Sequence, residues 1–222
     1  MSRILKRQRS RVISLKPLSS TAYELTFERC GLDFHAGRLL TVHGTENTDD
    51  RSYTIASGEQ DEHLQIIFRL IPSGRLTPGL ARLKPGDEIL FSGPFGEFTV
   101  RDPQAPLIFI ATGTGVAPCR AYLRTFENLD LTLLHGVRVA EDLFYRDLFS
   151  RRRHFPCVSR EAGTGFHGRV TKLLEDFDLP AGAHYYLCGA NEMIFDAQVL
   201  LKNRGVDLAN VFTEAYYYRL HS

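Results

Sequence analysis

The chain has 222 residues and a mass of 25.1 kDa, the size of one large domain or two small ones. Hydrophobic residues make up 43% and charged residues 24%, which supplies a core and excludes disorder as a description of the whole chain. Lysine plus arginine (27) nearly balances aspartate plus glutamate (26), so nothing in the net charge points to nucleic acid.

The longest apolar run, Leu107 to Ala111, falls far short of the ~20 residues of a membrane span. The start, Met1-Ser2-Arg3-Ile4-Leu5-Lys6-Arg7, lacks the apolar stretch of a secretory signal. The expectation is a soluble, cytoplasmic monomer without a membrane span or a nucleic-acid partner. Cys30, Cys119, Cys157 and Cys188 are separated by 89, 38 and 31 residues, so no C-x-x-C motif or local iron–sulfur run exists. The eight histidines form no i, i+4 pair on a plausible helix, and no metal site is expected.

Residues 1–102 read as strands between turns. Stretches rich in β-branched and aromatic residues cover Thr21–Glu28, Leu39–His43, Ser52–Ala56, Leu64–Leu70, Glu88–Ser92 and Phe98–Val100. Pro72-Ser73-Gly74, Pro85-Gly86-Asp87 and Gly93-Pro94 break them. Six or seven such segments predict a small antiparallel β-barrel, which removes sheet edges by closing on itself.

Residues 103–222 alternate strand and helix. Leu107–Ala111 reads as a strand buried on both faces. A glycine-rich turn and a helix over Pro118–Asn128 follow, then a strand at Leu131–His135 and a helix at Glu141–Ser150. A strand near Cys157, a helix at Val170–Phe177 and a strand at Tyr185–Cys188 come next. The helix Asn191–Asn203 places Met193, Ala197, Leu200 and Leu201 on one face, and Val211–Thr213 is the last strand. This alternation predicts an α/β domain with a doubly wound parallel sheet, so the whole reads as a two-domain chain divided at Arg101–Gln104.

The turn Thr112-Gly113-Thr114-Gly115, followed by Val116-Ala117-Pro118, combines a strand end, glycines and a helix start. Backbone N–H groups there can approach a pyrophosphate. Pro118 stands where the dinucleotide fingerprint has its third glycine, and a glycine pair after a strand is as often a plain tight turn. In Arg51-Ser52-Tyr53-Thr54 the arginine fork suits a phosphate, the tyrosine offers a flat ring and the threonine a hydroxyl. Taken alone, that tetrapeptide reads better as an ordinary strand with an exposed arginine and a core tyrosine. Gly74-Arg75-Leu76-Thr77 suggests a second phosphate-binding turn, whereas Lys84-Pro85-Gly86-Asp87 is most simply a β-turn.

The order of these motifs says more than any one of them. R-S-Y-T, S-G-R-L-T-P with K-P-G-D, G-P-F-G, A-T-G-T-G-V-A-P and L-C-G-A-N-E-M form a series. It resembles the ferredoxin–NADP reductase family, most of all its short bacterial ferredoxin/flavodoxin–NADP reductases, from about Ser14 to Tyr217.

The resemblance implies an FAD-binding barrel over 1–102, an NADP(H)-binding α/β domain over 103–222, and a cytoplasmic flavoprotein oxidoreductase working in electron transfer. Arg51 would contact the FAD pyrophosphate, with Ser52 beside it. Tyr53 would lie against the isoalloxazine and Thr54 would bond near flavin N5. Ile67, Phe68, Arg69, Leu70, Gly74, Arg75, Leu76 and Thr77 match further FAD-contacting positions. Thr112, Gly113, Thr114 and Gly115 would meet the cofactors at the glycine turn.

A 2′-phosphate calls for an arginine cluster, and Val137, Arg138, Ser159, Arg160 and Arg169 match NADP-binding positions at strand ends. Each arginine taken singly reads as a solvated surface residue, and Glu161 beside Arg160 argues mildly against the assignment. Cys188 would pack beside the nicotinamide C4, and Ala190, Asn191, Glu192 and Asp196 would contact the same cofactor. Glu214 matches the family's C-terminal glutamate, and Tyr216 or Tyr217 would cover the flavin. With Thr54, Cys188 and Glu214 form the expected catalytic set.

Arg3, Lys6, Arg7, Arg9 and Arg11 make a basic start that would steer an acidic ferredoxin or flavodoxin, or else a solvated first strand. Two alternatives stand beside the ferredoxin (or flavodoxin) reductase. One is an NAD(P)H:flavin reductase or oxygenase reductase component; the other is a non-catalytic nucleotide-binding regulatory module.

Overall fold

A computed structural model describes residues 7–44, 50–150 and 153–216. The chain divides into two compact units. One comprises Met1–Val100 with Arg120–Glu127, and the other Arg101–Cys119 with Asn128–Ser222. The helix after the glycine turn is thus shared, its first turn counted with one unit and the rest with the other.

The first unit is built from β1 (Gln8–Pro17), β2 (Ala22–Glu28), β3 (Leu39–His43), β4 (Arg51–Thr54), β5 (His63–Arg69), the short helix α1 (Thr77–Leu80) and β6 (Glu88–Phe95). Every strand pairing is antiparallel, in the order β4-β3-β6-β1-β2-β5. A bridge between Ile55 and Ile66 joins the two end strands and closes the barrel. Because side chains alternate along a strand, one face of each supplies the core. Val12, Leu25, Phe27, Leu40, Val42, Leu64, Ile66, Phe68 and Phe91 fill it.

The expected strand at Phe98–Val100 does not form. The Phe98 carbonyl instead accepts a hydrogen bond from the buried Tyr122 hydroxyl, so a side chain replaces the ladder. A Cβ on Gly37 would sit 1.8 Å from that same carbonyl oxygen, so only glycine lets the two backbones lie this close.

The second unit contains β7 (Leu107–Thr112), a 3-10 turn over Gly113–Val116, α2 (Ala117–Thr125), β8 (Leu131–Val137), α3 (Arg146–Phe149) and β9 (Arg153–Val158). It continues through β10 (Phe166–His167), α4 (Val170–Glu175), β11 (His184–Ala190), α5 (Asn191–Asn203) and β12 (Val211–Tyr216). The sheet is parallel throughout, in the order β10-β9-β8-β7-β11-β12. Strands β7, β8 and β11 are almost wholly buried, as apolar runs covered on both faces must be. On one face Ile108, Ile110, Leu134 and Leu187 pack with Val170, Leu174, Met193, Ala197 and Leu201 of α4 and α5. The helix expected at Glu141–Ser150 is broken: Tyr145, at φ +57°, separates a short 3-10 turn from α3. The two-residue strand β10 has no signal in the sequence strong enough to find it.

The candidate cofactor sites

On the barrel, β4 presents the R-S-Y-T tetrapeptide. Its register against β3 pairs Val42 with Arg51, Thr41 with Ser52, Leu40 with Tyr53 and Leu39 with Thr54. Arg51 and Ser52 are exposed, Tyr53 is half-buried and Thr54 is buried. Tyr53 meets Phe68 edge-on, with centroids 6.4 Å apart, and Phe68 stacks on Tyr23 at 5.5 Å. The ring is therefore set by aromatic packing from below. The Arg51 guanidinium donates to the Asp50 carbonyl at 2.7 Å, and Ser52 Oγ lies 3.3 Å from Thr41 Oγ1.

Ile67 and Phe68 are buried, whereas Arg69 and Leu70 come to the half-exposed end of β5. In the following loop the Gly74 amide donates to the Ile71 carbonyl at 2.8 Å. Thr77 Oγ1 accepts from the Ile71 amide at 3.0 Å, so its hydroxyl braces the loop. Leu76 is buried in the barrel core and Arg75 is exposed.

Sequence reasoning missed a buried polar set that joins β2, β5 and the segment after β4. Arg120 donates to the Ala56 carbonyl at 2.5 Å and pairs with Glu24 at 3.3 Å, with both side chains at or below 10% exposure. Gln65 donates to both Glu24 and Thr26. No local pattern marks these residues, because they meet only through strand pairing.

In the parallel sheet the strand order reverses direction at β7, between β8 and β11, and such a switch point opens a ligand crevice at the carboxyl ends of the strands. Backbones approach closely there. A Cβ on Gly115 would lie 2.3 Å from the Cys188 carbonyl oxygen, and one on Gly189, at φ +135°, would lie 2.1 Å from Thr112 Oγ1. Only glycine fits at either position. The Ala190 amide donates to Thr112 Oγ1 at 3.0 Å, tying the ends of β7 and β11 together. Gly113 lies at φ +53° and Thr114 is buried.

Strand pairing sets His135, Ala111, Cys188 and Glu214 in one row across the sheet. The Cys188 thiol donates to Glu214 Oε1 at 3.9 Å. Burial, reinforced by the Glu214 carboxylate, pushes that thiol well above its ordinary range, so it is neutral. His135 is fully buried and lies 3.4 Å through Nε2 from the Gly113 carbonyl; burial first, then the neighbouring His154, lower it to about 3. Tyr216 ends β12, paired with Ala190, while Tyr217 lies outside the described residues.

Arg138 follows β8, Arg160 lies just past β9 and Arg169 just past β10, so three adjacent strands carry the arginines at their carboxyl ends. All three are exposed, and Val137 beneath Arg138 is buried. The Ser159 amide donates to the Val137 carbonyl at 3.0 Å and the Arg160 amide to the Arg138 carbonyl at 2.9 Å. The Glu161 carboxylate accepts the Ala140 amide at 2.7 Å, which ties it to the segment after β8. Asn191, Glu192 and Asp196 lie exposed on the first turns of α5.

These donor sets suit two dinucleotides: an exposed guanidinium, an aromatic ring and a hydroxyl on one barrel strand, and a glycine turn with arginines on a parallel sheet. An antiparallel barrel followed by a doubly wound parallel sheet is the architecture of a dinucleotide-binding protein. Residues 16–100 match the oxidoreductase FAD-binding domain family and residues 109–198 the oxidoreductase NAD-binding domain family. Ferredoxin–NADP reductase B of Sorangium cellulosum is 32% identical over 93% of this chain and 96% of its own length. The chain belongs to the ferredoxin–NADP reductase family of flavoprotein oxidoreductases, enzymes with an FAD-binding and an NAD(P)-binding domain.

One component of the Na(+)-translocating NADH-quinone reductase of Idiomarina loihiensis is 30% identical over 66% of this chain, and the match spans 41% of that relative. Among solved structures, a ferredoxin NADP+ reductase from Neisseria gonorrhoeae with bound FAD and NADP superposes with a TM-score of 0.87 at 21% identity. It covers 96% of this chain and 99% of its own. Among the described residues no helix is long and apolar enough to cross a membrane, and no cluster of three or more ligating side chains offers a metal site.

Proposed function

We propose that the protein is an FAD-dependent reductase that works with NADP(H) and exchanges single electrons with an acidic carrier, ferredoxin or flavodoxin. The observation that carries the reading is the exposed arginine at the ends of three adjacent strands, Arg138, Arg160 and Arg169, on the same chain as the R-S-Y-T strand. When bound, FAD would supply the redox chemistry: two-electron exchange with a nicotinamide and one-electron exchange with a carrier.

The side chains orient rather than react. Arg51 holds a pyrophosphate by its fork, Tyr53 offers its ring to the isoalloxazine, and the Thr54 hydroxyl bonds near flavin N5. Thr112–Gly115 and the start of α5 meet the nicotinamide half. Cys188 packs there as a neutral thiol held by Glu214, and its high pKa suits packing rather than nucleophilic attack. The arginine triplet selects the 2′-phosphate, since a nearly doubly charged phosphate is matched by guanidinium groups.

Arg7, Arg9 and Arg11 lie exposed on or beside β1 and add positive charge for an acidic carrier, while Arg3 and Lys6 lie outside the described residues. The test is an anaerobic titration of the purified protein with NADPH and with NADH, followed near ~450 nm, where oxidised flavin absorbs. Bleaching at far lower NADPH than NADH supports the reading. Equal bleaching by NADH removes the 2′-phosphate assignment, and no bleaching after added FAD removes the redox reading. Flavin lost on gel filtration would favour a reductase that uses flavin as a diffusing substrate.

A further inference from the structure

The barrel holds a hydrogen-bonded series that neither the motifs nor the family domains account for. His43 ends β3, Asp50 precedes β4 and Ser92 lies on β6. His43 Nδ1 is 2.7 Å from Asp50 Oδ2, and His43 Nε2 is 2.9 Å from Ser92 Oγ. The His43 side chain is 6% exposed and Ser92 is 1% exposed.

The order Asp–His–Ser matches a hydrolytic triad, but a nucleophile must reach its substrate, and the Ser92 hydroxyl is closed off. The series therefore serves as an anchor. Which way it runs is set by chemistry. A carboxylate only accepts, so the contact to Asp50 places a proton on His43 Nδ1, and in that tautomer Nε2 accepts from the Ser92 hydroxyl.

What the anchor holds is the start of the phosphate-facing strand. Asp50 is the residue before Arg51, and the Arg51 guanidinium donates to the Asp50 carbonyl at 2.7 Å. Asp50 Oδ2 is also 3.7 Å from Arg7, a looser and half-exposed contact, and Asp50 Oδ1 is buried without a hydrogen-bond partner among the described residues. The imidazole is thus the buried group that fixes this carboxylate.

We infer that His43 is a positioning residue for Arg51: through Nδ1–H it fixes Asp50, and through Asp50 it aims the guanidinium that holds the FAD pyrophosphate. Ser92 sets the ring's orientation from the far side. The inference rests on the FAD reading above, and applies to cofactor retention rather than to hydride transfer. Pre-aimed, the arginine loses less freedom when the phosphate binds.

The experiment uses the two amide replacements of histidine. His43→Asn keeps an N–H donor close to the Nδ1 position, whereas His43→Gln keeps one close to Nε2 only. FAD dissociation constants are measured by fluorescence on the deflavinated full chain, beside its urea unfolding midpoint.

The expected result is a rise of about tenfold or more for His43→Gln, the loss of a hydrogen bond to a charged group. His43→Asn should stay within about threefold of the wild type, with Ser92→Ala close to it, at unfolding midpoints that do not follow this order. In the cycle His43→Gln with Asp50→Ala, the double variant should lose no more than the larger single one.

Equal losses in His43→Asn and His43→Gln, or losses that track the unfolding midpoint, would mean that the residue only packs, and would overturn the inference. So would 15N NMR of the deflavinated protein finding the His43 proton on Nε2. Because that last measurement needs no cofactor, it separates a failure of the anchor from a failure of the FAD reading, which wild-type protein that binds no FAD would signal.

Discussion

The barrel and the parallel sheet brace the segments that carry their motifs by opposite means. In the barrel β4 and the segment after it are braced by buried polar side chains: Arg120 against Glu24 and Ala56, and His43 between Asp50 and Ser92. In the parallel sheet the bracing is backbone against backbone, with Gly115 on Cys188 and Gly189 on Thr112. The difference follows from architecture. An antiparallel barrel places side chains of distant strands opposite each other, where charges can meet. A parallel sheet brings its strand ends together at one edge, where a ligand needs access to bare N–H groups.

The largest expected effect falls on the barrel. Arg120→Met leaves Glu24 buried without its cation, and should cost about 3–5 kcal/mol in urea unfolding. Adding Glu24→Leu should recover most of that. A neutral single variant would show that the barrel does not depend on its buried charge.

Next comes the backbone contact in the sheet. Gly189→Ala forces a Cβ to 2.1 Å from Thr112 Oγ1 at φ +135°, and should cost about 3 kcal/mol or more. Gly182→Ala, at φ +71° with nothing within 4 Å, carries only the backbone strain, about 1–2 kcal/mol. Equal costs in the two variants would deny the close approach.

The sheet also carries a pair of neighbouring histidines whose titration bears on stability. His135 and His154, with ring centroids 5.8 Å apart, are lowered to about 3 and about 4, first of all by burial. The unfolded chain binds these protons near the ordinary 6.5 and the folded chain does not. Their contribution is therefore whole above about pH 6.5 and is lost as the pH falls toward 4 and 3. His135 alone should give a slope approaching ~1.4 kcal/mol per pH unit, and the partly exposed His154 less. Unfolding midpoints of the wild type and His135→Gln between pH 4 and 7 check this: the variant's profile should be the flatter.

Smaller effects belong to the surface. Replacing Arg138, Arg160 or Arg169 with alanine should raise the KM for NADPH about tenfold each, a charge-assisted bond's share, and leave that for NADH unchanged. The exposed Arg9–Glu88 pair should matter least: Arg9→Ala should move stability by less than about 0.5 kcal/mol.

Much of the fold is legible along the chain. β3 and α5 stand where the sequence alone places them, residue for residue, because alternation of period 2 and an apolar face of period 3.6 are local signals. Phe98–Val100 has the aromatic and β-branched composition of a strand, but its Phe98 carbonyl is claimed by the Tyr122 hydroxyl. The helix expected at Glu141–Ser150 breaks at Tyr145, whose left-handed backbone no residue pattern announces. At the sites, the glycines and arginines are visible as motifs, but Arg120, Glu24, His43 and Ser92 are not.

By itself the sequence determined the succession of strands, turns and helices, the order of the motifs and hence the family. These depend on near neighbours and on punctuation by glycine and proline. The tertiary structure alone decided which buried polar groups meet. His43 finds one partner 7 residues away and the other 49 residues away, and Arg120 reaches Ala56 across 64. Such pairs are set by strand register and barrel closure, which sum over the whole apolar core, so no window of the chain contains them.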